Sequence, residues 1–461
     1  MTETTYANAS TLEPDALRGT IRGTVIGADD EGYDAARQVA PGGIDRHPAL
    51  IVQVADAGDV ATVIGLARET GLELAVRSGG HSNAGHGVTE GGIVIDLRGM
   101  KDLRIDPDSR TAWAETGLTT LEVTAATAEH GLVVGFGDTG TVGIGGITLG
   151  GGVGYLARKH GLTIDSLLAA ELVTADGELL MVDDDHHADL FWAIRGGGGN
   201  FGVATRFKYQ LHPLGGFVGG FLFLPATVDT LTGAMAAAEA APEELSGIVN
   251  VMPLPPMPML PEEVHGRLGM MVILAHVGDE DAGQRAMKPF RDLAEPYADL
   301  VRPMSYPEIY PPADDSYHPL AVARTMFLDR FDRDVAESVV QHLEASDAPM
   351  RAAQLRVLGG AMARVPSDAT AFAHRASRIM VNLAAFYDGP QNFAQREAWV
   401  LGFMRDIQQQ DQGAYVNFLV DEPERIRDAY PGTTYDRLAR IKARYDPTNL
   451  FRLNHNIPPA V

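Results

Sequence analysis

The chain has 461 residues, 45% hydrophobic and 21% charged, a globular mixture long enough for two domains. A formal net charge of −24 argues against nucleic-acid partners, which it would repel, and no apolar run reaches the roughly 18 residues of a membrane span. There are no cysteines, which removes disulfides, thiolate metal sites and Cys nucleophiles.

The acid excess reads either as plain solubility or as salt adaptation; only five lysines stand among the 37 basic residues. The opening MTETTYANAS lacks a basic stretch followed by an apolar one, so no secretory leader is indicated and a cytoplasmic location is expected. Residues 1 to 20 are polar and predict a short helix or arm. Asp59 then opens a helix with Val60, Val63, Ile64 and Ala67 on one face, stopped by Gly71. An apolar run, Leu72 to Val76, follows as a buried strand. Gly79-Gly80 removes both Cβ atoms where the chain must turn, presenting His81 beside something that approaches the backbone closely. A lone histidine after Gly-Gly is more often a packed turn residue, so this stretch needs a second one beside it.

Ile93 to Leu97 is a strand with Asp96 as a cap, Thr111 to Glu115 another, and Thr119 to His130 a helix through Leu121, Val123, Ala126 and Ala128 that ends at Gly131. The second stretch is Gly135 to Gly154, GFGDTGTVGIGGITLGGGVG. Its glycines read as a loop that leaves successive backbone amides unshielded, as needed to wrap the pyrophosphate of a dinucleotide. It is not the spaced G-x-G-x-x-G of a nicotinamide fold. Leu168 to Val182 reads as two strands around the tight turn Ala175-Asp176-Gly177. Asp183 to His187, DDDHH, has the wrong spacing for a metal and reads as a solvated acidic loop. A helical turn at Leu190-Phe191-Trp192 precedes Arg195 to Asn200, whose four glycines let main chain pack closely. Val203 to Leu211 alternates as a strand, and His212-Pro213-Leu214 leaves the first domain.

From Gly215 strands alternate with helices around an expected antiparallel sheet. Strands are predicted at Phe217 to Leu224, Leu268 to His276, Gln354 to Leu358 and Arg378 to Asp388. Helices are predicted at Val228 to Ala241, Asp279 to Leu293 and Gln391 to Gln410. Met252 to Pro261, MPLPPMPMLP, is a Pro/Met loop that cannot form a ladder. At the C-terminus Tyr415 to Phe418 reads as a strand and Tyr435 to Tyr445 as a helix closed by Asp446-Pro447-Thr448-Asn449.

Five stretches occur in a fixed order: RSGGHSNAGHGV from Arg77, TVGIGGITLGGGVGYLARKHGLTIDSL from Thr141, LVTADGELL from Leu172, DLFWAIRGGGGNFGVAT from Asp189, and YDPTNLFRLNHNIPP from Tyr445. Together they resemble FAD-linked oxidoreductases of the berberine bridge enzyme-like and 6-hydroxynicotine oxidase type, in the vanillyl-alcohol oxidase superfamily. The resemblance covers residues 45 to 214 and 410 to 461 strongly, and the middle by hydropathy and a few residues. It implies an α+β fold: a PCMH-type FAD-binding domain of two α/β subdomains over 1–214, a substrate domain with a helix-covered antiparallel sheet over 215–410, and a segment, 411–461, returning to the FAD domain.

The resemblance also implies FAD held covalently through His81, with Arg77, Ser78, Gly79, Gly80, Ser82, Gly85 and His86 around it. Thr139, Val142, Gly143, Gly145, Gly146, Leu149, Gly150, Gly151 and Gly154 belong to the pyrophosphate loop, Val173 lies beside the adenine through its main chain, and Asn417 and Asn454 complete the set. Relatives that hold the flavin twice use a Cys where Thr139 stands, so a single link is expected here. Val142 reads either as the side chain that governs oxygen access or as a packing valine. Tyr415 resembles the tyrosine used as base or orienting group; with an ordinary pKa near 10 it would need a cation nearby. Arg356 could supply that charge or grip an acidic substrate. Gln354 and Asn382 complete the candidates, and none of these three is a neutral-pH base, a departure from relatives that carry a carboxylate around these strands.

The implied activity is oxidation of an alcohol or amine carbon of a small organic substrate by hydride transfer to flavin N5, with O₂ as acceptor giving H₂O₂. A polyketide oxygenase and a non-catalytic flavin-binding module are the rival readings. The Pro/Met loop suggests an apolar ligand or simply an adaptable core. No metal is expected, and the assembly is a monomer or homodimer.

Overall fold

The computed structural model describes residues 14–312, 314 and 317–461. Of the polar opening, Pro14–Arg18 is a helix and the residues before it lie outside the described ones. The first sheet has four strands in the order Thr24–Gly27, Leu50–Gln53, Ile93–Asp96, Leu74–Arg77. The last three run parallel, and a parallel pair needs a crossover. The helix Ala57–Thr70 supplies it, burying Val60, Val63, Ile64 and Ala67 as its spacing requires. Asp56 rather than Asp59 caps this helix, accepting from the N–H groups of Gly58 and Asp59. The buried Asp59 carboxylate instead accepts from the backbone of Arg22, Gly23 and Ala55, tying the first strand to the helix. Gly71 stops the helix with φ 70°, a left-handed conformation that favours glycine.

A second sheet of five antiparallel strands follows, in the order Leu103–Asp106, Thr111–Glu115, Val203–Gln210, Leu167–Val173, Leu179–Val182. Gly177, φ 85°, makes the tight turn of its last hairpin. Residues Ala414, Val416, Leu438 and Ile457 sit in the same core as Ala170, Phe191 and Phe207. The end of the chain therefore packs into the core that its first half began.

Residues 217–386 form an antiparallel sheet of eight strands. Seven run in the order Ala298–Asp299, Phe217–Pro225, Leu268–Val277, Leu245–Pro253, Arg351–Val357, Ile379–Phe386, Ala321–Leu328, and Arg302–Pro303 pairs beside the first. Alternation divides its faces. Leu222, Val272, Val249, Leu355, Val381 and Met326 point into a core shared with the helices Val228–Ala240, Arg333–Ala345 and Phe393–Ile407. Burying each such side chain contributes about 1.5–3 kcal/mol. The opposite face, with Ile248, Ile273, Met380 and Phe327, packs on the glycine-rich stretch and its neighbours.

Several expectations are corrected. The stretch 135–154 is not all loop: Ile144–Leu149 is a helix. Tyr415–Phe418 is not a strand; Val416–Phe418 is a 3-10 turn, because Tyr415 is anchored by its side chain rather than by a ladder. The buried face of the helix Thr120–Ala128 is Thr120, Val123, Thr124 and Thr127, not the aliphatic stripe of the sequence reading. The Pro/Met loop begins two residues late, since Met252 and Pro253 still pair with Gly269 and Leu268 at a strand end. Strands Leu245–Pro253 and Ala321–Leu328 and the helix Arg333–Ala345 were unforeseen. Among the described residues no helix is long and apolar enough to cross a membrane.

Candidate active site

The site begins at the end of the strand Leu74–Arg77. Arg77 is buried and its guanidinium meets the fully buried Asp96 carboxylate at 2.8 Å; Arg98 joins the same carboxylate at 2.7 Å. Two cations hold Asp96 ionised and below the usual carboxylate range against its burial. The chain leaving this fixed point turns at Gly80, φ 74°. At Gly79 a Cβ would lie 2.2 Å from the backbone nitrogen of Gly143, so here glycine is required by direct contact between the two stretches. Ser78 fastens them: its hydroxyl donates to the Thr116 carbonyl at 2.5 Å and accepts from the Gly145 N–H at 3.2 Å.

Between these stretches lies a cavity of about 410 Å³, within the range of cofactor sites. His81 is on its wall, with Ser82 and His86 from the same turn, Thr139, Val142, Gly143, Gly145, Gly146 and Leu149 from the facing stretch, and Tyr415, Asn417 and Asn454 from the C-terminal segment. Burial pushes the His81 imidazole below its ordinary value, opposed by a hydrogen bond with the Thr141 backbone. Three residues of the wall, Arg77, Tyr430 and Asn454, each hold a buried polar atom, Nε, Oη and Oδ1, that finds no partner in the protein. Orphaned polar atoms of this kind are costly. A cradle of Cβ-free backbone with unsatisfied polar groups fits the nucleotide and ribityl parts of FAD.

Five residues expected at the cofactor, Gly85, Gly150, Gly151, Gly154 and Val173, are not among those lining this cavity. Gly85, φ 73°, gives its carbonyl to Arg46 at 2.9 Å. Gly150 makes room for Asn417, Gly151 for Phe372, and Gly154 for the Phe136 carbonyl, each at a Cβ distance below 3 Å. Val173 is fully buried in the second sheet, and its ladder partner Val203 is the one that reaches the wall.

Tyr415 is committed differently from the sequence reading. Its oxygen accepts from the N–H groups of Gly152 at 3.0 Å and Val153 at 3.1 Å and from Asn417 Nδ2 at 2.9 Å, and Asn417 also donates to the Ile147 carbonyl at 3.1 Å. Burial raises the Tyr415 phenol above its ordinary value despite these donors and the nearby Arg356. The hydroxyl thus holds the glycine-rich stretch in place from the cavity wall.

Arg356 does not stand free. It is 4% exposed, and one nitrogen, Nη2, meets both the Asp138 carboxylate and Gln354 Oε1, the latter at 2.7 Å. Gln354 in turn donates to Asn250 Oδ1 at 2.9 Å. The Phe418 ring lies against the guanidinium, 5.2 Å from centroid to Cζ. Asn382 is the ladder partner of Gln354 on the neighbouring strand, with its Oδ1 buried and unpartnered. Gln354, Arg356 and Asn382 therefore form one polar seam on the sheet face turned to the glycine-rich stretch, joined to the cavity through Asp138 rather than lining it.

Asp138 and Tyr430 are functional candidates that the sequence reading missed. Asp138 stands beside Thr139 in D-T-G-T-V-G, and that adjacency was its available signal; Tyr430 carried none. Among the described residues of the wall Asp138 is the one carboxylate. Its carboxylate is paired with Arg356, so the ion pair ties the wall to the large sheet.

Residues 48–183 match the family model described as FAD binding domain, and residues 414–458 the one described as Berberine and berberine like. The chain is 30% identical over 457 residues to (R)-6-hydroxynicotine oxidase of Paenarthrobacter nicotinovorans, covering 95% of this chain and 97% of that protein. The crystal structure of 6-hydroxy-D-nicotine oxidase from Arthrobacter nicotinovorans superposes with a TM-score of 0.83 at 29% identity, over 95% of this chain and 98% of that one. Glucooligosaccharide oxidase from Acremonium strictum, which carries a 6-S-cysteinyl, 8α-N1-histidyl FAD, shares the fold with a TM-score of 0.86 at 22% identity, over 98% of this chain and all of that one. With both family models matched at the two stretches that build the cavity and a full-length relative at this identity, the chain belongs to the berberine bridge enzyme-like FAD-linked oxidoreductases and is an FAD-dependent oxidase.

Proposed function

We propose that the chain holds FAD through a single covalent bond from His81 and oxidises an alcohol or amine carbon of a small organic substrate, the electrons passing to O₂ to give H₂O₂. His81 carries the reading. It sits on the cavity wall directly after the Gly79-Gly80 turn, and burial favours the neutral imidazole, whose free lone pair is what a covalent bond to the flavin requires. Thr139 occupies the place of the second link in doubly attached relatives, and the chain has no Cys, so one bond is all it can form.

When bound, FAD supplies the hydride acceptor and the relay of electrons to O₂. The protein supplies the rest. Gly79, Gly143 and Gly145 let the two stretches of the wall close on each other, Gly146 leaves the space beside it open to the cofactor, and Tyr430 and Asn454 gain the partners they lack. Tyr415 fixes the glycine-rich stretch, Val142 stands where oxygen access is governed, and Asp138 is the carboxyl group of the cavity wall. The same reading takes 1–214, 215–410 and 411–461 as the units of the chain, cytoplasmic and monomeric or homodimeric.

The test is the absorbance of acid-precipitated protein, paired with intact mass of the wild type and His81→Ala. A yellow pellet and a mass increment of one FAD, lost in the variant, are expected; a colourless pellet from yellow protein refutes the covalent bond. Once a substrate bleaches the flavin anaerobically, H₂O₂ release against labelled oxygen in the product distinguishes oxidase from oxygenase.

A further inference from the structure

The cofactor cavity shares part of its wall with a second cavity, of about 570 Å³. His86, Leu453, Asn454 and His455 belong to both, so the two spaces stand back to back across the two imidazoles, whose ring centroids are 4.8 Å apart. The rest of the second cavity is built by Arg46, Ala84 and the C-terminal segment, chiefly residues 421–427 and 452–458.

Three guanidiniums, Arg46, Arg427 and Arg452, and three carboxylates, Asp421, Glu422 and Glu424, line this space. Two of the six are committed elsewhere. Glu422 pairs with Arg324 at 2.8 Å, and Arg427 lies 4.0 Å over the Tyr435 ring and 3.8 Å from Asp436. Arg46 spends one nitrogen on the carbonyls of Gly85 at 2.9 Å and Val88 at 3.0 Å. Among the described residues none of Arg46, Arg452, Asp421 and Glu424 has an ion-pair partner. Two cations and two anions thus line one cavity without meeting. The charge of Arg46 bears on His86 and that of Asp421 on His455, so cation and anion flank the imidazole pair.

Opposite charges that stay apart across a cavity leave room for a molecule that carries both signs. An unpartnered acceptor sharpens the match. Asn456 Oδ1, on the same wall, is buried without a hydrogen bond, which is costly unless a ligand donates to it. Among the described residues no three His, Asp or Glu come together as metal ligands, so the cation that suits these carboxylates is an ammonium, which also donates. We propose that this cavity is a binding site for a small zwitterion, its ammonium held by Asp421, Glu424 and Asn456 and its carboxylate by Arg46 and Arg452. The site is separate from the one that holds FAD, and its occupation does not depend on the oxidase reading.

The probes are 6-aminohexanoate, hexanoate and hexylammonium, alike in length and different in charge. Their dissociation constants are measured by calorimetry on the full chain as purified, at low salt because exposed charges are screened. Wild type is expected to bind 6-aminohexanoate about fivefold or more tighter than either singly charged probe, since only the zwitterion meets both ends of the site. Arg452→Met should weaken 6-aminohexanoate about fivefold and leave hexylammonium unchanged, and Asp421→Asn should weaken it about fivefold and leave hexanoate unchanged. Both side chains are exposed and unpaired, so both variants should keep the melting temperature of the wild type. No binding of 6-aminohexanoate, equal binding of the three probes, or an affinity for 6-aminohexanoate that survives either substitution overturns the proposal, whatever the flavin content.

Discussion

The two sides of the site are built from different materials. The cofactor side is made of backbone: Gly79 and Gly143 meet with no room for a Cβ, Gly80 turns in the left-handed region, and Ser78 ties one stretch to the other. The other side is made of side chains on a regular sheet, where Asn250, Gln354 and Arg356 meet through hydrogen bonds across two neighbouring strands and Asn382 lies opposite Gln354 on a third. A site made of backbone tolerates almost no substitution and writes itself into the sequence as glycine. A site made of side chains is free to vary and leaves no pattern along the chain, because its members come together only when strands pair.

The largest effect is expected where backbone meets backbone. Gly79→Ala would place a methyl group 2.2 Å from the Gly143 nitrogen, and forcing the stretches apart should cost about 3 kcal/mol or more and remove the flavin. The ratio of flavin to protein absorbance reads this directly; an alanine variant with full flavin content would mean that the contact is not essential. The matching change across the site is Arg356→Met. It leaves Asp138 and Gln354 without their donor, and a loss of about 2 kcal/mol in stability is expected, seen as a lower melting temperature. Its flavin content should stay that of the wild type. A colourless Arg356→Met protein would erase the distinction between the two sides.

The same distinction explains what could be read in advance. The turn at His81, the glycine-rich stretch and the hairpin at Gly177 were legible because glycine there answers a local demand. The helix Ala57–Thr70 was legible from its apolar spacing. The base was not. Tyr415 lies in a recognisable stretch, yet its oxygen is occupied by the amides of Gly152 and Val153, distant in sequence. Asp138 stood in a motif already under inspection, but its ion pair with Arg356 joins residues from two separate sheets and their loops, which no spacing rule connects. Gly150 and Gly154 share that stretch, and what the protein itself asks of them is room for Asn417 and for the Phe136 carbonyl.

Protonation offers a gentler probe of the cofactor side. His86 and His455 stand edge to face, 4.8 Å between ring centroids, on the wall of the cavity. Burial pushes His86 down to about 3, with His455 and Arg46 adding to it, and His455 down to about 4 against the pull of Asp421. In the unfolded chain both titrate near 6.5. Unfolding therefore takes up protons between about 6.5 and 4, and stability present above that window is lost as pH falls through it. For partly exposed rings the loss should be on the order of 1–2 kcal/mol. Melting temperatures across that range should fall toward acid in the wild type and less steeply in His455→Asn; parallel curves would show that the pair carries none of the dependence.

The smallest change separates the cofactor from the fold. Gly146 lies inside the helix Ile144–Leu149, lines the cavity, and has ordinary helical backbone. A Cβ there would meet no protein atom within 4 Å. Unlike Gly79, it has no reason in the protein itself to be glycine, and glycine inside a helix costs about 0.5–1 kcal/mol relative to alanine. Gly146→Ala should therefore raise the stability of the flavin-free protein by about that amount. If the cofactor lies against this wall, the same methyl group should lower flavin content, so one substitution moves fold stability and flavin content in opposite directions. A steric demand of the polypeptide would move both down, and a glycine with no contact to either would leave flavin content unchanged. Only the opposed pair of shifts marks a glycine kept for a ligand.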